Sequence, residues 1–346
     1  MNYGRYFDSA ATTPLHPEAW KEMESVRDIF GNASSRHEEG FRTRKKMDEY
    51  LQRIADCLGV ARDQVIITHG GTDANRKVLW AMRKRSGHEN LWCSRVEHSS
   101  ISDEILEDHQ FHPRSWEGLP SSPQFLALMQ ANNETGEIFD VGGLRKKFPD
   151  AIILSDWVQG IGKMKIDLSD VDFASIAAHK FYGPKGVGIL YCKNPEQFQD
   201  LAKDTHTKDL IGVAGMTKAL EMLSSENATM LQKQTEAIEK FIQDNIPDSK
   251  IHAEKFSRVP GILNVAFRGI RGSELMSRLS EEEGICISTG AACTSDILAP
   301  PRVIQVIEED PDWQYPIRIG LHRFLTEKDI QDFCEVLVHY VEEMRD

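Results

Sequence analysis

The chain of 346 residues has few cysteines and no closely spaced cysteine pair. Its six cysteines, at positions 57, 93, 192, 286, 293 and 334, are too few for a disulfide framework in a chain of this length. The CxxC spacing of a zinc ribbon is absent, and no metal site is predicted. Five of the six lie in helical or apolar stretches, where a free cysteine behaves as a small hydrophobic residue. These features exclude a disulfide-stabilised or zinc-ribbon protein.

Long apolar runs and blocks of basic residues are also missing. No segment has the apolar length needed to span a bilayer, and the first residues lack the apolar core of a signal peptide. With a formal net charge of −13 and no Lys/Arg block, the chain is not expected to bind nucleic acid or an anionic membrane. The hydrophobic fraction of 40% and the charged fraction of 27% are those of an ordinary globular protein. We expect a soluble, cytoplasmic protein.

Short β-type runs alternate with helical stretches along most of the chain. This alternation is typical of right-handed βαβ crossovers and a mainly parallel sheet. A long helical stretch over residues 211–246 leads into a second unit, which ends in a helix from Thr326. The pattern predicts an α/β fold with a large domain over residues 13–245 and a small α+β domain over residues 1–12 and 246–346. Strands are predicted over residues 65–68, 91–94, 125–129, 152–154, 173–176, 187–191, 262–267, 286–287 and 317–319.

Residues that follow the predicted strands lie where open α/β sheets bind ligands, at the carboxyl ends of the strands. After the first strand, Gly70-Gly71-Thr72 leads into a helix, and glycines before a helix N-terminus can bind an anion. His98 follows the second strand, and Asn132-Asn133 follows the strand predicted over residues 125–129. Each signal is weak alone, because a glycine turn, a single histidine or an amide pair most often has only a structural role.

Asp156 and Lys180 follow two further apolar runs. An acid directly after a buried strand is costly without a cationic partner, and a protonated pyridine nitrogen would be such a partner. The alternative is that Asp156 caps the following helix. A lysine after an apolar strand, shielded by the turn over residues 181–186, suits Schiff-base formation because partial desolvation favours the neutral amine. The alternative is an ordinary surface lysine.

Cys293 differs from the other five cysteines. Its surroundings, Ser-Thr-Gly-Ala-Ala-Cys-Thr-Ser over residues 288–295, are small, polar and typical of a loop. A thiol in such a loop can be reached by solvent and can move, as a nucleophile that serves two partners must.

A series of motifs extends nearly from one end of the chain to the other. They are FDSAATTP (7–14), FGNASSRHEEG (30–40), ITHGGTDAN (67–75), VEHSS (96–100), NNETG (132–136), SDWVQGIGKMKIDL (155–168), AHKFYGPKGVGILY (178–191), ISTGAACTS (287–295) and IRIGLHRFLTEKDI (317–330). In this order and density they resemble the class V aminotransferase group of fold-type I pyridoxal-phosphate enzymes, which implies a seven-stranded, mainly parallel sheet flanked by helices. Within that group, the Cys293 loop resembles that of the NifS/IscS-type cysteine desulfurases.

The resemblance implies a pyridoxal 5'-phosphate cofactor and residues that hold it. Lys180 would bind it as a Schiff base, and His98 would stack on its ring; both would be catalytic. Asp156 would pair with the ring nitrogen, and Gln159 would bind the phenolic oxygen. The residues implied for the phosphate are Gly71, Thr72, His179 and Thr207.

The resemblance also implies a substrate and a reaction. L-Cysteine would be converted to L-alanine, and its sulfur would be held as a persulfide on the catalytic Cys293 and passed to an acceptor protein. Asn133 and Arg318 would bind the substrate carboxylate, for which a guanidinium group is well suited, with Arg323 as a second choice. A homodimer is implied as well. Iron–sulfur cluster assembly and tRNA thiolation are both compatible with the chain, so the acceptor stays open.

Two departures from the group's pattern bear on these expectations. Ala177 replaces a phosphate-binding serine and Ala178 a glycine, so one hydroxyl contact is missing. The segment over residues 192–210 is short and has no glycine, where the desulfurases carry a glycine- and arginine-rich stretch that ends in a threonine; Thr207 is aligned with that threonine. Two alternatives stay open: a related enzyme acting on selenocysteine or another cysteine derivative, and a cofactor-poor scaffold or regulator of sulfur transfer.

Overall fold

The computed structural model describes residues 3–202, 207–290 and 299–345, which form two compact units. The large unit comprises Thr13–Gln130 and Phe139–Leu223. The small unit comprises Met1–Thr12, Ala131–Ile138 and Ser224–Asp346. Each unit contains a hydrophobic core of its own.

Seven strands in the described part of the large unit form one sheet. They are β1 (Val65–Thr68), β2 (Leu91–Ser94), β3 (Gln110–Phe111), β4 (Phe125–Ala127), β5 (Ile152–Asp156), β6 (Phe173–Ala177) and β7 (Gly188–Cys192). Their order across the sheet is β1-β7-β6-β5-β4-β2-β3. The strands from β2 to β6 pair in parallel, whereas β7 is antiparallel to both β1 and β6. The predicted mainly parallel, seven-stranded sheet is confirmed.

Three inner strands of the sheet are buried along their whole length, which explains their sequence. Every residue of β4, β6 and β7 is buried, and a strand covered on both faces is a continuous apolar run rather than an alternating one.

No helix among the described residues is long and apolar enough to cross a membrane. The helices of the large unit are α1 (Pro17–Ser25), α2 (Glu38–Leu58), α3 (Gly71–Ser86), α4 (Ser99–Ser102), α5 (Val141–Lys147), α6 (Gln199–Ala202) and α7 (Leu210–Glu221).

Two glycines bring the turn after β1 close to the neighbouring strand. Gly70 has a φ of +124°, a conformation that side chains rarely adopt, and it directly precedes the first residue of α3. A Cβ atom added to Gly188 at the start of β7 would lie 2.7 Å from Gly70 Cα. This close approach sets the position at which α3 begins, at the edge of the sheet.

The small unit packs helices against a three-stranded antiparallel sheet of order β10-β9-β8, which consists of β8 (Ser249–Ile251), β9 (Ile262–Phe267) and β10 (Ile317–Gly320). The first residues of the chain belong to this core, because Phe7 stacks on Phe333 with 4.3 Å between ring centroids. The helices of the unit are α8 (Ser225–Asn245), α9 (Gly272–Glu283), α10 (Arg302–Ile307) and α11 (Glu327–Glu343).

The unit boundary and two predicted elements differ from the sequence-based expectation. The stretch over residues 211–246 is two helices, α7 and α8, rather than one. The second of these buries Leu231, Ile238 and Ile242 in the core of the small unit, so residues 224–245 belong there and not with the large unit. The predicted strand over residues 286–287 is also wrong: Cys286 makes only an isolated bridge, to Tyr6.

Residues 131–138 form a turn that also belongs to the small unit. Asn132 Oδ1 accepts hydrogen bonds from the backbone N–H groups of Glu134, at 2.9 Å, and Thr135, at 3.0 Å. Gly136, with a φ of +75°, closes the turn, and its carbonyl accepts from the Val259 N–H at 2.8 Å. Asn132 therefore shapes the turn, and the turn is held by the small unit rather than by its neighbours in sequence.

Glu134 is a carboxyl group buried inside the small unit, where it is 3% exposed. Its Oε2 atom has no hydrogen-bond partner among the described residues. Burial raises the pKa of Glu134 to about 7, although the charges of Arg318 and Arg302 oppose the increase. The carboxyl group therefore changes its charge near neutral pH, and its ionisation opposes folding.

The pH dependence of stability should reveal this group. The pKa of Glu134 is higher in the folded state than in the unfolded state. Below about pH 4.5, Glu134 therefore does not reduce the free energy of unfolding. The reduction grows as the pH increases towards the folded-state pKa and is complete above it. Between pH 5 and pH 8, the unfolding free energy of the wild type should fall by about 2 kcal/mol relative to Glu134→Gln, which carries no charge at any pH. Urea unfolding at both pH values measures the difference. Glu281→Gln, at an exposed position of the same unit, is the control, and equal pH dependence of the two variants would contradict the prediction.

Candidate active site

A chain of hydrogen bonds in the large unit joins Asp156 at the end of β5 to His98 at the start of α4. Asp156 Oδ2 accepts from Asn75 Nδ2 at 3.1 Å, and the same nitrogen donates to Ser100 Oγ at 3.0 Å. Ser100 Oγ lies 2.9 Å from His98 Nδ1. The two residues that the sequence assigned to the ring of a cofactor thus belong to one network, with Asn75 and Ser100 between them.

The donors and acceptors of this network set the tautomer of His98. Its Nδ1 atom accepts from the Ser100 backbone N–H at 3.1 Å, so Nδ1 carries no proton and the ring N–H is on Nε2. The Ser100 hydroxyl accepts from Asn75 and therefore donates to the same Nδ1 atom. His98 is also the N-cap of α4, which holds its backbone in place.

Glu97 fixes the strand end from which His98 projects. Its Oε1 atom accepts from Ser94 Oγ at 2.6 Å and from the Met129 N–H at 2.7 Å. These two bonds tie the end of β2 to the segment that follows β4. The position of His98 therefore depends on sheet geometry and not on a free loop.

Asp156 is a buried carboxylate, 7% exposed, whose hydrogen-bond donors among the described residues are neutral. Oδ1 accepts from the Val158 N–H at 2.9 Å, and Oδ2 accepts from Asn75. A buried carboxylate is costly unless it is well paired, and a cationic partner is the strongest compensation. No helix begins after Asp156 in the described segment between β5 and β6, so the alternative role as a helix cap is wrong, and the bond to the Val158 N–H instead shapes the turn that follows β5.

The glycine turn before α3 forms a tight cradle next to the end of β6. A Cβ atom added to Gly71 would lie 2.7 Å from Val158 Cγ2 and 3.8 Å from Ala177 Cβ. Thr72 is exposed in the first turn of the 16-residue helix, where backbone N–H groups have no intrahelical partner. Ala177 therefore faces the predicted phosphate turn, at the position where a serine hydroxyl would add one more donor.

Lys180 and His179 lie in a short turn of 3-10 helix, Ala178–Lys180, directly after β6. Thr13 holds this turn: its hydroxyl donates to the His179 carbonyl at 3.0 Å and accepts from the Tyr182 N–H at 2.7 Å. Tyr182 has a φ of +68°, a strained value for a residue other than glycine. The backbone around Lys180 is thus fixed by hydrogen bonds to a residue far away in sequence.

His179 is neutral at physiological pH. Burial, together with the nearby charges of Lys180 and Lys185, lowers its pKa to about 4. The ring N–H of His179 is a possible donor to a phosphate group, and Lys185 is a nearby source of positive charge.

Gln159 is buried in the turn that follows Asp156, at 3% exposure. Its Oε1 atom accepts from Lys163 Nζ at 2.7 Å, and Lys163 is itself only 8% exposed. Thr207 lies on the surface of the large unit, where its hydroxyl accepts from Asn32 Nδ2 at 3.2 Å. No contact among the described residues joins Thr207 to the turn before α3, so its role as a phosphate ligand stays a prediction.

Arg318 and Asn133, the predicted ligands of a substrate carboxylate, meet in the small unit. Arg318 Nη1 donates to the Asn133 carbonyl at 3.0 Å, and Nη2 pairs with Asp8 Oδ1 at 2.8 Å. Its Nε atom has no hydrogen-bond partner among the described residues, although the side chain is almost fully buried. Arg323, the second choice, lies 6.0 Å from the centroid of the Phe324 ring. The predicted nucleophile Cys293 lies outside the described residues.

Sequence reasoning missed four residues that position the predicted ones. Asn75 lies about one helical turn beyond Gly71 in α3, and Lys163 lies four residues beyond Gln159 in the turn after β5. Thr13 and Asp8 are distant in sequence from the residues they hold. Both are part of the FDSAATTP motif, which was the only signal available for them.

The residues of the large unit fit pyridoxal phosphate in two respects. Asp156 provides a buried anion for a protonated ring nitrogen, and the Gly70–Gly71 turn provides a cradle and a helix N-terminus for a phosphate. The hydroxyl donor missing at Ala177 reduces the number of phosphate contacts but does not block the cradle.

Comparison with known proteins agrees with this geometry. A family model described as aminotransferase class-V matches residues 5–112 and 114–333. The chain is 32% identical over 377 residues to cysteine desulfurase IscS of Dictyoglomus turgidum, covering 98% of this chain and 95% of that protein. It is 31% identical over 387 residues to cysteine desulfurase IscS of Clostridium botulinum, covering 100% of this chain and 96% of that protein.

Solved structures share the fold over nearly the whole chain. A structure described as a NifS-like protein superposes with a TM-score of 0.85 at 25% identity, covering 97% of this chain and 99% of that one. The apo structure of a cysteine desulfurase from Thermococcus onnurineus NA1, at 16% identity, gives a TM-score of 0.83 over 98% of this chain and 94% of its own, and supports the fold alone. The chain therefore belongs to the aminotransferase class-V family and, within it, to the cysteine desulfurases.

Proposed function

We propose that this protein converts L-cysteine to L-alanine with pyridoxal phosphate and carries the sulfur as a persulfide on Cys293. The observation that carries the proposal is the chain of hydrogen bonds from Asp156 through Asn75 and Ser100 to His98. It combines an anion suited to a pyridine nitrogen with an imidazole of defined tautomer. Relatives named cysteine desulfurase, which match nearly the whole chain, support L-cysteine as the substrate.

The large unit would hold the cofactor. When bound, pyridoxal phosphate supplies an electron sink that stabilises negative charge at the substrate Cα atom. Lys180 would hold the cofactor through a covalent bond, and its amine would serve as the base for the Cα proton. Asp156 would pair with the ring nitrogen, and His98 would lie against the ring. Gln159 would bind the phenolic oxygen, and Gly71, Thr72, His179 and Thr207 would hold the phosphate.

Arg318 and Cys293 would act on the substrate itself. Arg318, with Asn133, binds the carboxylate, and its Nε atom is the donor that the described contacts do not use. Cys293 attacks the substrate sulfur as a thiolate: a sulfur–sulfur bond forms, the Cβ–S bond breaks, and its electron pair stays with Cβ, which is then protonated. Alanine leaves, and an acceptor thiol removes the sulfur from Cys293.

A cytoplasmic homodimer that passes sulfur to an acceptor protein is part of the same proposal. Phe30 and Phe41 are exposed on the large unit, at 81% and 54%. Asn32, two residues beyond Phe30, contacts Thr207, the residue predicted to reach a phosphate. Exposed aromatic side chains of this kind are typical of protein interfaces, and a second copy of the chain is the partner expected to cover them.

Product analysis tests the reaction. With pyridoxal phosphate and a reducing thiol, the wild type should release alanine and sulfide from L-cysteine in equal amounts. Lys180→Ala and Cys293→Ser should each reduce both products by at least about 100-fold, because each removes a group that forms a covalent bond in the reaction. Cys286→Ser, which removes an exposed thiol of the small unit, is the matched control and should keep full activity.

The outcomes separate the alternatives. Cofactor binding without release of either product would favour selenocysteine or another cysteine derivative as substrate. A wild type that binds no cofactor would favour a scaffold or regulator of sulfur transfer. Equal loss in Cys286→Ser and Cys293→Ser would contradict the role proposed for Cys293.

Substrate affinity tests Arg318. Lysine keeps the positive charge but not the planar fork of donors, so Arg318→Lys should raise the KM for L-cysteine about 10-fold or more and change kcat less. Arg323→Lys is the matched control and should leave KM unchanged. Thermal unfolding of both variants shows whether loss of the pair with Asp8 has unfolded the small unit. An unchanged KM in folded Arg318→Lys would rule out its role as carboxylate ligand.

A further inference from the structure

The backbone of Glu134 is fixed next to the guanidinium group of Arg318. Arg318 Nη1 donates at 3.0 Å to the Asn133 carbonyl, which belongs to the peptide bond between Asn133 and Glu134. Asn264 Nδ2 donates to the Glu134 carbonyl at 3.3 Å, and Asn264 is the partner of Arg318 in the pairing of β9 with β10. The turn that carries Glu134 is therefore held by Arg318 and by the residue beside it in the sheet.

The carboxyl group of Glu134 lies against Gly290 inside the small unit. A Cβ atom added to Gly290, whose φ is +125°, would lie 2.9 Å from Glu134 Oε2 and 3.4 Å from Pro301 Cγ. Ser288 holds Gly290, because its hydroxyl donates to the Gly290 carbonyl at 3.0 Å, and the Ser288 carbonyl accepts from the Arg318 N–H. The same local structure thus fixes both Arg318 and the carboxyl group of Glu134.

Glu134 and a substrate carboxylate would both draw on the positive charge of Arg318. Among the described residues, the charges that act on Glu134 are those of Arg318 in β10 and Arg302 in α10. Arg318 already pairs with Asp8 Oδ1 at 2.8 Å. If Glu134 is ionised, a substrate carboxylate is the third anion near one guanidinium group. In a buried site such like charges repel each other strongly, and a neutral Glu134 removes one of them.

The other side chains that contact this turn supply no further charge. Asn264 is an amide, and Gly290 and Pro301 are uncharged. His252, whose Nδ1 atom lies 2.7 Å from Asn264 Oδ1, is neutral at physiological pH because burial lowers its pKa. Glu134 Oε2 and Arg318 Nε have no hydrogen-bond partner among the described residues. The ionisation of Glu134 is therefore controlled mainly by burial and by the two arginines.

We propose that Glu134 is a positioning residue that acts through Arg318: the substrate carboxylate binds when Glu134 is neutral, so that binding of L-cysteine takes up a proton from solvent onto a Glu134 oxygen. This inference rests on the proposed function, because it takes Arg318 as the carboxylate ligand. Since coupling between two sites is reciprocal, a bound carboxylate favours the neutral Glu134 as much as an ionised Glu134 disfavours the carboxylate. The pKa of Glu134, about 7, puts this exchange in the neutral range.

The pH dependence of substrate affinity tests the proposal. Glu134→Gln is neutral at every pH and should not lose affinity as the pH rises. The ratio of the wild-type KM for L-cysteine to that of Glu134→Gln should therefore increase about 10-fold between pH 6 and pH 9, which corresponds to a change of one pKa unit on binding. The ratio of the kcat values should change less. Taking a ratio cancels the titration of the substrate's own thiol and amine, which both proteins share.

Calorimetry counts the proton without turnover. L-Alanine has the carboxylate and amine of the substrate but no sulfur. Titrations of the holoenzyme with L-alanine at pH 7.5, in two buffers of different ionisation enthalpy, should show about half a proton more taken up by the wild type than by Glu134→Gln. Glu281→Gln, at an exposed position of the same unit, is the matched control and should take up as many protons as the wild type.

Two results would overturn the proposal. One is equal proton uptake by the wild type and Glu134→Gln, and the other is a KM ratio that stays constant over the pH range. Urea unfolding shows whether both proteins are folded at each pH, so that either result would leave Glu134 with a merely structural role. A wild type that binds no L-alanine at pH 6, where Glu134 is mostly neutral, contradicts the proposed function itself. Binding at pH 6 without extra proton uptake contradicts only the inference about Glu134.

Discussion

The large unit is organised around the burial of one carboxyl group, that of Asp156, at the buried end of β5. A buried acceptor without a partner costs about 1–3 kcal/mol, and a buried charge costs more. The structure meets this demand with a backbone N–H two residues on and with Asn75 from the first turns of α3. Since the same Asn75 nitrogen also holds Ser100, the orientation of His98 follows from the burial of Asp156. One electrostatic constraint thus connects β5, α3 and α4.

The small unit also buries charged groups, and among the described residues they are less completely hydrogen-bonded than Asp156. Arg318 is buried between Asp8 and the carbonyl of Asn133, which ties the first residues of the chain and the turn over residues 131–138 to β10. In the same unit, one oxygen of Glu134 has no partner among the residues that the structure describes, and burial raises the pKa of Glu134 to about 7. Burial of this carboxyl group near Arg318 lowers the stability of the small unit at neutral pH. In the large unit, the backbone of Tyr182, two residues after Lys180, is strained.

The elements predicted best are those decided by local pattern. The strands over residues 65–68, 91–94 and 262–267 have the predicted ends, because a buried apolar run bounded by turn residues allows little else. The long helical stretch over residues 211–246 was misread as one helix, since hydrophobic periodicity continues across the break between α7 and α8. The sequence predicts Cys286 in a strand, whereas the structure shows an isolated bridge to Tyr6. The local residue composition does not distinguish a bridge from a strand. In each error, packing against a distant segment decided what local sequence could not.

For the site, the sequence by itself determined which residue types follow each strand, and therefore the chemistry that they can perform: a glycine turn before a helix, an acid after β5 and a lysine after β6. The motif order determined the family. Only the tertiary structure decided which of these side chains share hydrogen bonds, because Asn75 and Asp156 are 81 residues apart and Thr13 and Tyr182 are 169 apart. It also decided the tautomer of His98 and the neutral state of His179, which depend on burial and on charges brought close by the fold. Sequence specifies the groups, and the three-dimensional environment specifies their protonation and direction.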